Sequence, residues 1–191
     1  MNISSTGKNL IKKYEKLNCS VYGDAAGYPT VGWGHLLSKT VYSNYIEKNL
    51  PTATANSELK KAGLPYTSPI TTNQADSLLT KDLKIAVNMV NNLSCAGTLT
   101  QNQFDALTSL IFNYPEAATT HDLITLLHKR ETFSNFMGPI DLPAMANLVT
   151  SAFRITKAGG RVQNGLINRR NAEMELFCKG MRYSYNKIPN I

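Results

Sequence analysis

The sequence predicts an α+β fold, with a short β-rich stretch near the N-terminus and a helical remainder. Three observations predict it. Apolar residues recur at three-four spacing in several long segments; the block 20–37 is instead β-like and punctuated by glycines; and two Thr-x-x-Gln boxes each stand just ahead of an apolar-periodic run.

Over 6–17, Leu10, Ile11, Tyr14 and Leu17 fall at helical spacing with lysines between them, which places Glu15 near the end of a first helix. In 20–37, Val21-Tyr22 and Thr30-Val31 flank a turn at Asp24-Ala25-Ala26-Gly27, the pattern of a β-hairpin, and Gly27, Gly32 and Gly34 permit its bends. The stretch 39–69 has mixed polarity and several turn residues and reads as a partly helical insertion. Thr71 and Gln74 form a capping box that opens a long helix, whose apolar face runs Ala75, Leu78, Leu79, Leu83, Ala86, Met89 and Val90. Thr100 and Gln103 open the next, with Phe104, Leu107, Leu110, Ile111 and Phe112 apolar enough for a buried element. Further helices are predicted at 120–129, 142–154 and 162–179. A chain of 191 residues can bury a sizeable core as one domain. We expect a single domain over 1–191, with lobes of approximately 1–70 and 71–191.

The formal charge of +7 marks an anionic partner. The basic residues (Lys12, Lys13, Lys60, Lys61, Arg161, Arg169, Arg170) are scattered and do not interleave with aromatics, so no nucleic-acid platform is expected and most read as solvated helix faces. Cys19, Cys95 and Cys178 are odd in number and share no zinc or redox spacing, the usage of free thiols made in a reducing cytoplasm. His35, His121 and His128 share no ligand spacing, so neither a metal nor another cofactor is expected. The N-terminal residues lack the apolar run of a signal peptide, and no stretch approaches the roughly 20 apolar residues of a membrane span.

The stretch from Glu15 to His35 sets Glu15, eight residues, Asp24, five residues, Thr30 and then Gly32-Trp33-Gly34-His35. This block resembles the catalytic region of the phage-type lysozymes, the endolysins of glycoside hydrolase family 24. Two further segments resemble the same family: 99–113, like its central core helix, and 159–176, like its C-terminal Gly-Gly, Gly-Leu, Arg-Arg, Glu helix. Two departures stand out. Lys16 occupies the position after the glutamate where the family usually has Gly, and 39–69 is longer than the same part of compact members.

The resemblance implies a lysozyme-like fold in which the helix beginning near Thr71 joins a small hairpin-bearing lobe to a larger helical one. It implies hydrolysis of the β-1,4 bond between N-acetylmuramic acid and N-acetylglucosamine, with Glu15 as general acid and Asp24 and Thr30 positioning the attacking water. Two carboxylates and a hydroxyl suit that chemistry, which needs a proton for the leaving oxygen and an aimed water; inversion would set the carboxyls roughly 6.5–9.5 Å apart. Leu36 and Phe112 match positions lining the family's cleft and are binding candidates. Arg169 matches an arginine beside the catalytic glutamate, its alternative being an exposed helix arginine. His35 is expected to be structural, with Asp82 as its carboxylate partner. Trp33 and Phe112 are open to sugar contact or core packing.

The expected partners are peptidoglycan and anionic envelope polymers. Made in the host cytoplasm and acting in the periplasm or cell wall, a monomer of this kind needs a holin or secretion machinery for delivery. Alternatives are a secreted antibacterial effector with the same activity, a lytic transglycosylase and a non-catalytic glycan-binding module.

Overall fold

The computed structural model describes residues 1–93, 96–135, 141–158 and 160–191; Cys95 and Gly159 lie outside the described residues. Within them are seven α-helices and five short strands. They fall into two units, Glu15–Lys84 on one side and Met1–Tyr14 with Ile85–Ile191 on the other.

Helix α1 spans Ser5–Tyr14. Ser4 caps it: its Oγ accepts from the backbone N–H groups of Thr6 and Gly7 and donates in turn to the Asp105 carboxylate. The helix stops three residues short of the expected end. The chain bends at Glu15 and enters a strand at Asn18, and Leu17 is left exposed.

In the smaller unit, β1 (Asn18–Gly23), β2 (Pro29–Gly32) and β3 (His35–Leu36) form one antiparallel sheet in that order. Tyr22 pairs with Thr30, Thr30 with Leu36, and Val31 with His35. The expected hairpin therefore carries a third strand. Val21, Val31, Leu37, Leu50, Ala55, Leu59, Ile70, Ala75 and Leu78 make its core.

The insertion contributes a 3-10 turn at Ser43–Tyr45 and helix α2 (Thr52–Lys61). It runs along β1 through backbone bonds from Gly23 to Lys48 (3.1 Å), Glu47 to Gly23 (2.7 Å) and Leu50 to Val21 (2.9 Å). Glu58 of α2 is fully buried and accepts from Ser38 Oγ (2.6 Å), Tyr42 OH (2.8 Å) and Lys61 Nζ (2.7 Å). Burial acts to raise its carboxyl, but the bonds from Lys61, Ser38 and Tyr42 together hold it below the ordinary glutamate value.

Helix α3 (Thr72–Asn91) continues through residues 84 and 85, where the two units divide. Its capping box is formed: Thr71 N–H donates to Gln74 Oε1 (2.8 Å) and Gln74 N–H to Thr71 Oγ1 (3.2 Å).

The larger unit packs α4 (Gln101–Asn113), α5 (His121–Asn135), α6 (Leu142–Phe153) and α7 (Asn164–Cys178) around a core containing Phe104, Leu107, Leu110, Met145, Phe153, Met174 and Phe177. The Thr100–Gln103 box caps α4 as expected. Helix α7 begins later than predicted because Val162 is paired in a small hairpin, β4 (Lys157–Ala158) with β5 (Arg161–Val162).

Arg169 and Arg170 are buried, so the reading as a solvated helix face fails for Arg170, and for Arg169 the exposed alternative falls. Glu173, fully buried, takes Ser109 Oγ at 2.6 Å and Arg169 Nε at 3.1 Å on one oxygen, with Arg170 Nε 3.1 Å from the other. Arg170 also donates to Asn113 Oδ1 (2.8 Å). Burial pushes the Glu173 carboxyl up against the pull of the two arginines. Burial likewise pushes the Cys178 thiol up to about 12.

After α7 the last residues adopt neither helix nor strand, yet side-chain amides hold them. Asn171 donates to the Ile188 carbonyl and accepts its N–H, both at 2.8 Å. Asn164 makes the same two-way contact with Ile191.

Candidate active site

Asp24 sits at the β1–β2 turn, and the turn is built around its carboxylate. Oδ1 accepts the backbone N–H groups of Ala26 (2.8 Å) and Tyr28 (2.9 Å), while Gly27 N–H closes on the Asp24 carbonyl (2.9 Å). Asp24 Oδ2 takes no hydrogen bond among the described residues. One oxygen is thus fixed by the backbone and the other is left for a solvent molecule or ligand.

The Tyr28 peptide joins Asp24 to Thr30. Its carbonyl accepts from Asp24 N–H (2.9 Å) and from Thr30 Oγ1 (3.1 Å). Thr30 is buried within β2, flanked across the sheet by Tyr22 and Leu36. Leu36 itself is exposed.

Glu15 is half-buried at the bend after α1. A Cβ added at Gly34 would lie 3.9 Å from Glu15 Oε2, which brings the carboxylate to the β2–β3 turn. Gly34 has φ +93°, a conformation that favours glycine, so the turn facing Glu15 is held bare. Tyr22 lies within electrostatic range of both carboxylates. Burial first, then the negative charge of Asp24 and of Glu15, pushes its phenol up, so it remains a neutral hydroxyl.

His35 and Asp82 are paired, with Nδ1 2.9 Å from both Oδ1 and Oδ2. The bond ties β3 to α3 inside the smaller unit. Trp33 donates to Asp76 Oδ1 (2.8 Å) and packs against the same unit's core. Phe112 is partly buried against the larger unit's core, and Arg169 is engaged with Glu173 and the Ser109 carbonyl (3.3 Å), which excludes the exposed-arginine alternative.

Sequence reasoning missed two residues here. An open concavity of about 510 Å³ is lined by Lys16, Leu17, Asn18, Tyr22, Asp24, Ala25 and Glu47. Tyr22 was legible only as a strand residue. Glu47 belongs to the insertion and reaches this place through the backbone pairing of 47 and 48 with Gly23.

The profile described as Phage lysozyme matches residues 12–173. The chain belongs to the phage lysozyme family. Among relatives, it is 28% identical over 177 residues to the endolysin of Salmonella phage P22, covering 93% of this chain and 98% of that one. It is 30% identical over 183 residues to the endolysin of Bacillus phage PZA, covering 94% of this chain but 56% of that one. The chain thus spans little more than half the length of the PZA relative. Among solved structures, the muramidase domain of SpmX from Asticaccaulis excentricus superposes with a TM-score of 0.58 at 27% identity, covering 92% of this chain and 97% of that one. The α+β fold of this phage lysozyme family member is lysozyme-like, with a three-stranded antiparallel sheet near the N-terminus and, among the described residues, seven α-helices. Among the described residues no helix is long and apolar enough to cross a membrane.

Proposed function

We propose that this chain is an endolysin-type N-acetylmuramidase that hydrolyses the β-1,4 bond from N-acetylmuramic acid to N-acetylglucosamine in peptidoglycan. The observation that carries the reading is the divided Asp24 carboxylate, one oxygen held by two backbone N–H groups and the other without a partner among the described residues. Family membership supports it, as does the likeness to phage endolysins and to the muramidase domain of SpmX.

In this mechanism Glu15 gives its proton to the glycosidic oxygen as the bond from that oxygen to the anomeric carbon breaks. Water adds to the same carbon from the opposite face and passes its proton to Asp24, so the sugar configuration inverts. Thr30 supports the water-binding geometry, through its hydroxyl or through the Tyr28 carbonyl that it shares with Asp24. On the family pattern Arg169 serves as a supporting residue, and Leu36 and Phe112 as glycan-binding residues. His35 and Asp82 hold the sheet in place. The chain acts on the cell wall after leaving the cytoplasm in which it is made, through a holin or a secretion machine.

Product analysis of digested peptidoglycan tests the reading. Reducing muramic acid ends are expected, and Glu15→Gln abolishes them while leaving the melting curve unchanged. Anhydro ends would move the chain to the transglycosylases. Retention of most activity in folded Glu15→Gln would remove Glu15 as the acid.

A further inference from the structure

Two features set this chain apart from the compact pattern of its family: Lys16 in place of glycine, and the long insertion. Both reach the same place. Lys16 and Glu47 line one concavity, together with Asp24 and Tyr22.

Glu47 is held there at a backbone disadvantage. Its φ is 54°, and among the described residues it is the one non-glycine with positive φ. That left-handed conformation favours Gly or Asn over a glutamate. The strain is imposed from β1. A Cβ at Gly23 would collide with the Tyr45 carbonyl oxygen, so the insertion lies directly on Gly23, and Glu47 N–H then donates to the Gly23 carbonyl. Glycine at 47 would relieve the turn, and the side chain repays nothing within the fold. Among the described residues, neither the Glu47 carboxylate nor the Lys16 ammonium makes a hydrogen bond or an ion pair. Both side chains are exposed, and they do not pair with each other across the concavity. A cation and an anion, not paired with each other, thus line the same concavity as Asp24.

We propose that Glu47 and Lys16 are specificity-determining residues that bind a zwitterionic amino-acid end on the peptidoglycan stem peptide, Glu47 taking its ammonium and Lys16 its carboxylate. The free end of a stem-peptide diamino acid, with both charges on one carbon, has this chemistry; the glycan strand alone does not. Tyr22, which lines the same concavity, adds a neutral hydroxyl donor. The inference rests on the muramidase reading, since it takes the ligand to be part of the substrate whose glycan is cleaved at Asp24.

The test uses the full chain and four substrates: peptidoglycan fragments with free zwitterionic ends, the same fragments with the amines acetylated, the same with the carboxylates amidated, and peptide-free glycan. Reducing-end release gives kcat/KM for each. Wild type is expected to favour the zwitterionic fragments by about fivefold over either modified form, the range of an exposed ion pair, with the difference in KM. Glu47→Gln abolishes the preference over the acetylated form only, and Lys16→Gln the preference over the amidated form only. Glu47→Gly, which relaxes the backbone, raises the melting temperature and still loses the preference for the free amine. Equal discrimination in wild type and Glu47→Gln overturns the proposal, as does a wild type indifferent to acetylation. Calorimetric binding of the same fragments to the Glu15→Gln chain gives a second readout that needs no turnover. If wild type cleaves nothing but the binding preference is present, the reaction assignment fails and the site stands; if cleavage proceeds without any preference, the site alone fails.

Discussion

The carboxylates of the hairpin region and those buried in the helices are built to opposite rules. Glu173 on α7 meets a hydroxyl and two guanidinium groups, and Glu58 on α2 meets two hydroxyls and an ammonium, both without exposed surface. Among the described residues, Asp24 has one oxygen held and one unpartnered, and Glu47 has neither held. A carboxylate whose partners are all internal stabilises the fold; one with an unpartnered oxygen is available to a ligand. The two buried glutamates differ as well. The ammonium partner of Glu58 reaches solvent, being 58% exposed, and the carboxyl is held below its ordinary value. The arginines around Glu173 are sealed with it, and burial wins.

The comparison breaks first where the expected effect is largest. Glu173→Ala leaves two buried guanidinium groups without their counter-ion and should destabilise the fold by about 3–5 kcal/mol in denaturant titration. A loss below about 1 kcal/mol would mean that the cluster is dispensable to the fold. Asp24→Asn, which keeps the Oδ1 acceptor, should lose roughly 10²-fold in activity with its melting curve unchanged, and Thr30→Ala should lose a similar factor. A parallel loss of stability and activity in Asp24→Asn would erase the distinction between the two kinds of carboxylate.

Acid sharpens the contrast further. Because the folded Glu58 carboxyl is depressed, its stabilisation is present above the unfolded glutamate pKa and is lost as pH falls through the folded value. Thermal melts from neutral pH downward should therefore fall less steeply for Glu58→Gln than for wild type. An identical acid slope would remove Glu58 from the account. The smallest effect belongs to surface charge. Reversing Lys60 and Lys179 should slow lysis of permeabilised cells about threefold at low salt while leaving turnover of a short neutral glycan unchanged, since such steering is screened beyond about 8 Å at physiological salt. Lys61 does not belong in that variant, because it is bonded to Glu58. Equal salt dependence on both substrates would place the charges at the cleft instead.

Much of this was legible because it is local. The two Thr-x-x-Gln boxes, the Asp24–Gly27 turn and the apolar face of α3 are written over three to twenty residues, and each forms. The pairing of His35 with Asp82 followed from the family pattern, not from spacing. What escaped depends on distant partners. Lys61 reads as a solvated helix charge, whereas it bonds Glu58, over whose carboxylate the distant Ser38 and Tyr42 close. Arg170 reads as surface charge and Arg169 stays open between two readings, because Ser109 and Asn113 lie about 60 positions away. Glu47 carries no local turn signature, since its conformation is dictated by the close approach of Tyr45 to Gly23.

The C-terminal residues carry a consequence for how the chain ages in a protease-rich medium. A stretch with neither helix nor strand is ordinarily where nicking begins. Here Asn171 gives Ile188 one donor and one acceptor, as a neighbouring strand would, and Asn164 does the same for Ile191. To thread this segment into a protease cleft, both amide clasps must open first. Limited digestion should leave it intact in the native chain and release it quickly from Asn171→Ala, with the rest of the molecule still folded. An irregular tail clasped in this way, with Asn186 held as well by Thr150 and Asn147, should resist digestion as a sheet edge that has found its partner does.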